Sequence, residues 1–98
     1  MSAPEMASKP LFPLARTLAT PQVLAVLEAH GVAPASLLER HARGDWGELC
    51  PEDVEANREA LREGLRLLSS YRLADGVKVW VITEADRSAT TLLMPDDY

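Results

Sequence analysis

In residues 77–95, VKVWVITEADRSATTLLMP, two apolar runs flank the charged connector Glu84-Ala85-Asp86-Arg87-Ser88. Val, Ile, Trp and Thr suit a pleated, half-buried surface, so residues 77–83 and 90–94 are predicted strands joined by a hairpin. Working upstream, Asp75-Gly76 is a two-residue hairpin signal. Before it, residues 69–75, SSYRLAD, alternate Tyr71 and Leu73 with Arg72 and Ala74 as a first strand. The order is an antiparallel meander, with the middle strand apolar at nearly every position except Lys78.

The rest of the chain reads as helices. Thr20 caps a first helix, Pro21 occupies its first position and Gly31 stops it, with His30 in the last turn. Pro34 opens a second helix over residues 35–43, closed by Gly44, with His41 beside the apolar face of Leu37 and Leu38. Cys50-Pro51 opens a third over residues 51–68, although Cys50 is a poor cap. In it Val54, Asn57, Leu61, Leu65 and Leu68 share one face. Asn57 puts an amide on that face and must find partners there. Glu55, Glu59 and Glu63 interleave with Arg58, Arg62 and Arg66 as a solvated outer face. The predicted fold class is α+β: three helices followed by a three-stranded antiparallel β-meander packed on the third helix. Val54, Leu61, Leu65, Trp80, Ile82 and Leu92 form the predicted core.

Ninety-eight residues allow one domain. Residues 1–10, small, polar and Pro-bearing, are an expected flexible tail, and residues 11–98 the domain. Leu11-Phe12-Pro13-Leu14 reads as a short extended segment over the core. A composition 47% hydrophobic and 26% charged is that of a globular protein. The net charge of −5 argues against direct nucleic-acid binding, which needs a basic footprint. It fits a protein that docks on a basic partner. The one cysteine, Cys50, excludes an internal disulfide and points to a reducing compartment. The N-terminal stretch lacks the pattern of a signal peptide, and no apolar run reaches the roughly 20 residues of a membrane span. The expected location is cytoplasmic, with no membrane association.

The candidate site residues are His41, Asp45, Trp46, Glu84, Asp86, Arg87, Thr90 and Thr91. His41, Asp45 and Trp46 make either a structural corner, with the Trp46 ring plugging the core, or one wall of a binding site. Glu84, Asp86 and Arg87 crowd one hairpin end, with the hydroxyls of Thr90 and Thr91 close by. There the carboxylates of Glu84 or Asp86 are expected to hold the planar Arg87 fork. His30, His41 and Cys50 match no standard ligand spacing, so neither a metal nor a cofactor is expected.

The chain resembles a family of small bacterial proteins, borne mostly on plasmids and integrative elements, termed "plasmid-related protein". Some members carry the label "type I restriction endonuclease subunit M", which a chain this small cannot justify. The resemblance rests on His41 with Gly44-Asp45-Trp46-Gly47, on Asp53, Asn57, Ser69 and Tyr71, and on WVITEADRS at residues 80–88 with Thr90-Thr91. TPQVLAVLEAHG, residues 20–31, extends it, so the likeness covers about residues 13–98. Cys50 departs from the pattern at a helix cap. The resemblance implies a mobile-element setting and brings no activity with it.

Two functional readings follow. In the first, the chain is a small acidic non-enzymatic accessory or interaction protein of a mobile element. It would block a host restriction or CRISPR complex by occupying a basic nucleic-acid-binding surface. In the second, helices followed by a meander are similar to the ribonuclease-like fold of barnase and bacterial toxins. His41, Glu84 and Arg87 would then handle acid–base chemistry and the phosphorane charge. The first is favoured by the charge. Gathering of these side chains in one open cleft would favour the second.

Overall fold

The computed structural model describes residues 10–98. The expected flexible tail thus lies outside the described residues, except for Pro10. Among the described residues there are three α-helices: α1 Pro21–Ala29, α2 Pro34–Ala42 and α3 Pro51–Glu63. The same residues hold four strands: β1 Arg16–Ala19, β2 Leu67–Arg72, β3 Lys78–Thr83 and β4 Ala89–Leu93. They form one sheet in the order β1-β4-β3-β2. Among the described residues, no helix is long and apolar enough to cross a membrane.

The helix starts follow their sequence signals. Thr20 Oγ1 accepts the Val23 amide at 3.2 Å, and Pro occupies the first turn of all three helices. Cys50 makes no side-chain capping bond. The turn into β3 places Asp75 and Gly76 at φ of 68° and 77°, as an Asp-Gly pair allows.

The expected three-stranded antiparallel meander is corrected to a four-stranded mixed sheet. β2, β3 and β4 are antiparallel neighbours, but β1 joins β4 in parallel, pairing Leu18 with Thr91 and Ala19 with Leu92. Nothing in RTLA alternates, because this short edge strand is exposed at Arg16, Thr17 and Leu18 and half-buried only at Ala19. Its conformation is imposed by tertiary bonds near both ends. Thr20 N donates to Leu92 O at 3.1 Å, and Thr90 Oγ1 donates to Leu14 O at 2.9 Å.

The third helix is shorter than expected. It stops at Glu63 because Gly64, at φ 72°, closes it with a left-handed cap, its N–H bonded to Ala60 O at 2.9 Å. Leu65, a predicted core residue, is consequently 50% exposed, and Leu68 belongs to a strand. Ile82 and Leu92 are buried as expected, whereas Val54, Leu61 and Trp80 are half-buried.

Pairing register divides the sheet into two faces. One carries Leu67, Ser69 and Tyr71 of β2, Val79, Val81 and Thr83 of β3, and Thr90 and Leu92 of β4. Val23 and Leu27 of α1 and Leu37 of α2 pack there against Tyr71, Val79, Val81 and Leu92. The sheet therefore rests on α1 and α2. α3 flanks the outer edge of β2 instead: Asn57 Nδ2 donates to Leu68 O at 2.6 Å while its Oδ1 accepts Leu68 N at 3.1 Å. The amide thus imitates a neighbouring strand. Ser70 N donates to Trp46 O at 3.0 Å, and Glu48 N to Ser70 O at 2.6 Å, extending that cover. Gly47 is required between them, since a Cβ there would collide with the Ser70 carbonyl. The other face presents Leu68, Ser70, Trp80, Ile82, Thr91 and Leu93. The C-terminal turn Pro95–Asp97 returns beside β3 and sets Tyr98 against Trp80, ring centroids 5.9 Å apart.

Candidate functional site

His41 stands in the last turn of α2 and points into the helix-covered face of the sheet, 0% exposed. Its Nδ1 lies 2.6 Å from Ser69 Oγ and its Nε2 2.9 Å from Thr83 Oγ1. Thr83 Oγ1 lies 2.8 Å from Thr90 Oγ1, and Thr90 reaches the Leu14 carbonyl. That carbonyl, which can only accept, fixes the directions as far as His41 Nε2, and the neutral state of the buried ring fixes the last one. Thr90 donates to Leu14, so Thr83 donates to Thr90. His41 Nε2–H then donates to Thr83, and Nδ1 accepts from Ser69. The ring is neutral and protonated at Nε2, and burial lowers its pKa to about 4.

The Ser69–His41 spacing is that of a nucleophile and its base. Both residues are 0% exposed, as are Thr83 and Thr90, so no substrate atom reaches the pair in this conformation. Aromatic rings close the chain off. Phe12 meets the His41 ring edge-on at 5.2 Å and stacks on Trp46 at 6.3 Å, and Trp46 meets His41 at 5.6 Å. Phe12 arrives from a bent segment before β1, in place of the expected extended one, tied by Leu11 N to Ala42 O at 2.7 Å and turned again at Ala15, φ 57°.

Asp45 is bonded on three sides at the turn after α2. Its carboxylate accepts Arg40 Nε at 2.7 Å and the Gly47 amide at 3.2 Å. Arg40 holds its pKa below the usual carboxylate range. Its carbonyl accepts the Tyr71 hydroxyl at 2.6 Å, and Arg40 lies 4.5 Å over the Tyr71 ring. Burial pushes the Tyr71 phenol up to about 12. Trp46 is half-buried in the same corner.

Arg87 is held, but not by the carboxylates the sequence suggested. Nη1 donates to the carbonyls of Leu65 at 2.6 Å, Ala85 at 3.1 Å and Glu84 at 3.2 Å, and Nη2 donates to Ala60 O at 3.0 Å. The guanidinium thus caps the C-terminal end of α3 and its own hairpin loop, 5.8 Å from the Phe12 ring centre. Asp86 is spent on the Ser88 amide at 3.0 Å. Its carboxyl is lowered by the Ser88 hydroxyl and then by that amide. Glu84 and Asp86 are exposed beside a shallow hollow of ≈ 390 Å³ at the hairpin end.

The candidate residues therefore divide. His41, Trp46 and Thr90 gather around the buried chain, with Arg87 adjoining through Phe12 and Asp45 through Tyr71. Glu84 and Asp86 stand outside it, and Thr91 lies on the opposite face of the sheet. Sequence reasoning missed Ser69, Thr83 and Phe12 as members of this cluster. A hairpin centred between Asp86 and Arg87 pairs Thr83 with Thr90, so the register carried a signal for Thr83. Phe12 offered none beyond its apolar character. Among the described residues, no three His, Cys, Asp or Glu side chains gather as a metal site. No family model, curated protein or solved structure matches this chain.

Proposed function

We propose that this chain is a non-enzymatic interaction protein of a mobile element, acting in the cytoplasm by occupying a basic surface of a protein partner. The observation that supports this reading is the buried chain of Ser69, His41, Thr83 and Thr90, in which every side-chain donor is committed to an internal acceptor. A histidine so engaged, with its pKa near 4, orients three strands and a helix. Its Nδ1 lone pair is taken by the Ser69 hydroxyl, and both residues are sealed from solvent. The net charge of −5 supports a basic partner and opposes direct contact with phosphates. The resemblance to the mobile-element family supports a nucleic-acid-binding surface of a restriction or CRISPR complex as that partner.

The nuclease alternative needs His41, Glu84 and Arg87 around one phosphate. His41 is sealed in, Glu84 is exposed at the hairpin end, and Arg87 directs its fork to carbonyls. These placements weigh toward the interaction reading. Purified chain incubated with single-stranded RNA and with supercoiled DNA, with and without magnesium, is expected to leave both intact. Its expression in restricting cells is expected to raise the plating efficiency of unmodified phage. Cleavage that disappears in Glu84→Gln, a change at an exposed residue, would overturn the reading.

A further inference from the structure

A second surface has features that the buried chain lacks. On the sheet face away from α1 and α2, a groove of ≈ 330 Å³ runs between the start of α3 and the β2–β3 pair. Ser70 and Trp80, cross-strand partners, line it, with Asp53 and Glu48 on the α3 side, Pro95 opposite, and Lys78 beyond Trp80. Ser70 is only 5% exposed, and its hydroxyl has no hydrogen-bond partner among the described residues. Among the described residues no sealed side-chain N or O is left unsatisfied, so that hydroxyl opens into the groove.

The charges around the groove have a sign. Glu48 and Asp53 line it, Glu52 neighbours Asp53, and Asp96 follows Pro95. Against them stand Lys78, Arg72 and Arg66, of which Arg72 is already tied to Glu48 at 3.1 Å and Arg66 lies over Tyr98. The N-terminus of α3 contributes about half a positive charge, which Glu52 and Asp53 outweigh. The face also already accommodates a guanidinium on an aromatic ring: Arg66 lies 5.4 Å over Tyr98, which packs against Trp80 at 66°.

We propose that this groove receives an arginine side chain of a basic protein partner, its guanidinium stacked on Trp80 and hydrogen-bonded to Asp53 and Ser70. The proposal deepens the interaction reading and rests on it for the partner's charge. Arginine fits better than lysine because a planar fork can stack on the indole and serve a carboxylate and a hydroxyl together.

The test is a titration of the isotope-labelled full chain, followed by NMR, with a peptide of alternating Arg and Gly and with its Lys counterpart. Saturable shifts are expected at the Trp80 indole N–H and at the amides of Ser70 and Asp53, with the Arg peptide binding more tightly. Asp53→Asn, at an exposed residue, should weaken binding about threefold, and Lys78→Ala should tighten it by about the same factor. Trp80→Leu should weaken it about fivefold. Saturable binding mapped to Glu84 and Asp86 would overturn the groove while leaving a basic partner standing. Absence of saturable binding anywhere would overturn both. Equal affinity for the two peptides would overturn the stacked arginine.

Discussion

Arg87 holds a backbone φ of 61°, uncommon for a residue with a side chain. Its guanidinium meanwhile bonds four carbonyls from α3, the α3–β2 link and its own hairpin loop. Arg87→Lys keeps the backbone cost and the charge but loses the fork, so it should lower stability by roughly 1–2 kcal/mol in urea denaturation. An unchanged midpoint would mean that the carbonyls find water just as well. A held arginine was legible from its turn; its partners were not. They depended on α3 ending at Glu63, which leaves the Leu65 carbonyl outside the helix and lets Ala60 O, already bonded to the Gly64 amide, take Arg87 as a further donor. His41 makes a second prediction at this scale. Its pKa falls from 6.5 in the unfolded chain to about 4 in the fold, so the unfolded chain takes up the proton first. Stability from this group is complete above pH 6.5 and is lost as pH falls toward 4, by about 3 kcal/mol in all. Urea midpoints measured across that window should drop accordingly; a flat profile would show that the ring titrates normally when folded.

The boundary between α3 and β2 is where an element of the sequence pattern misleads. Leu61, Leu65 and Leu68 keep helical spacing, yet Gly64 stops the helix between the first and second of them. A left-handed cap is a local backbone event that overrides periodicity. Asn57 was legible as a polar group needing partners. That it would pair with the backbone of an edge strand followed only from where β2 begins. Asn57→Ala leaves the Leu68 N–H and C=O unpaired at that edge, costing about 2 kcal/mol and uncovering a strand that can pair with other chains. Light scattering on partly denatured samples should rise with the variant. A variant as stable and as soluble as the parent would show that water serves the edge equally well.

Over the whole molecule, the two sheet faces are put to different uses. The face under α1 and α2 buries its polar groups in a single directed chain, while the opposite face keeps Trp80, Ser70 and an acidic rim near solvent. The central hairpin, the three helix starts and the Asp-Gly turn were readable because each rests on local chemistry. β1 was not readable: four exposed or half-exposed residues become a strand only because β4 and the Thr90–Leu14 bond hold them. The same long-range bonds convert His41 and Thr90, plausible site residues in sequence, into parts of the scaffold. The ring nitrogens of His41 report on that conversion directly. NMR of the isotope-labelled imidazole should show Nε2 protonated, Nδ1 bare and hydrogen-bonded, and neither changing between neutral pH and pH 5. A ring that titrates near 6.5, or that carries its proton on Nδ1, would contradict it.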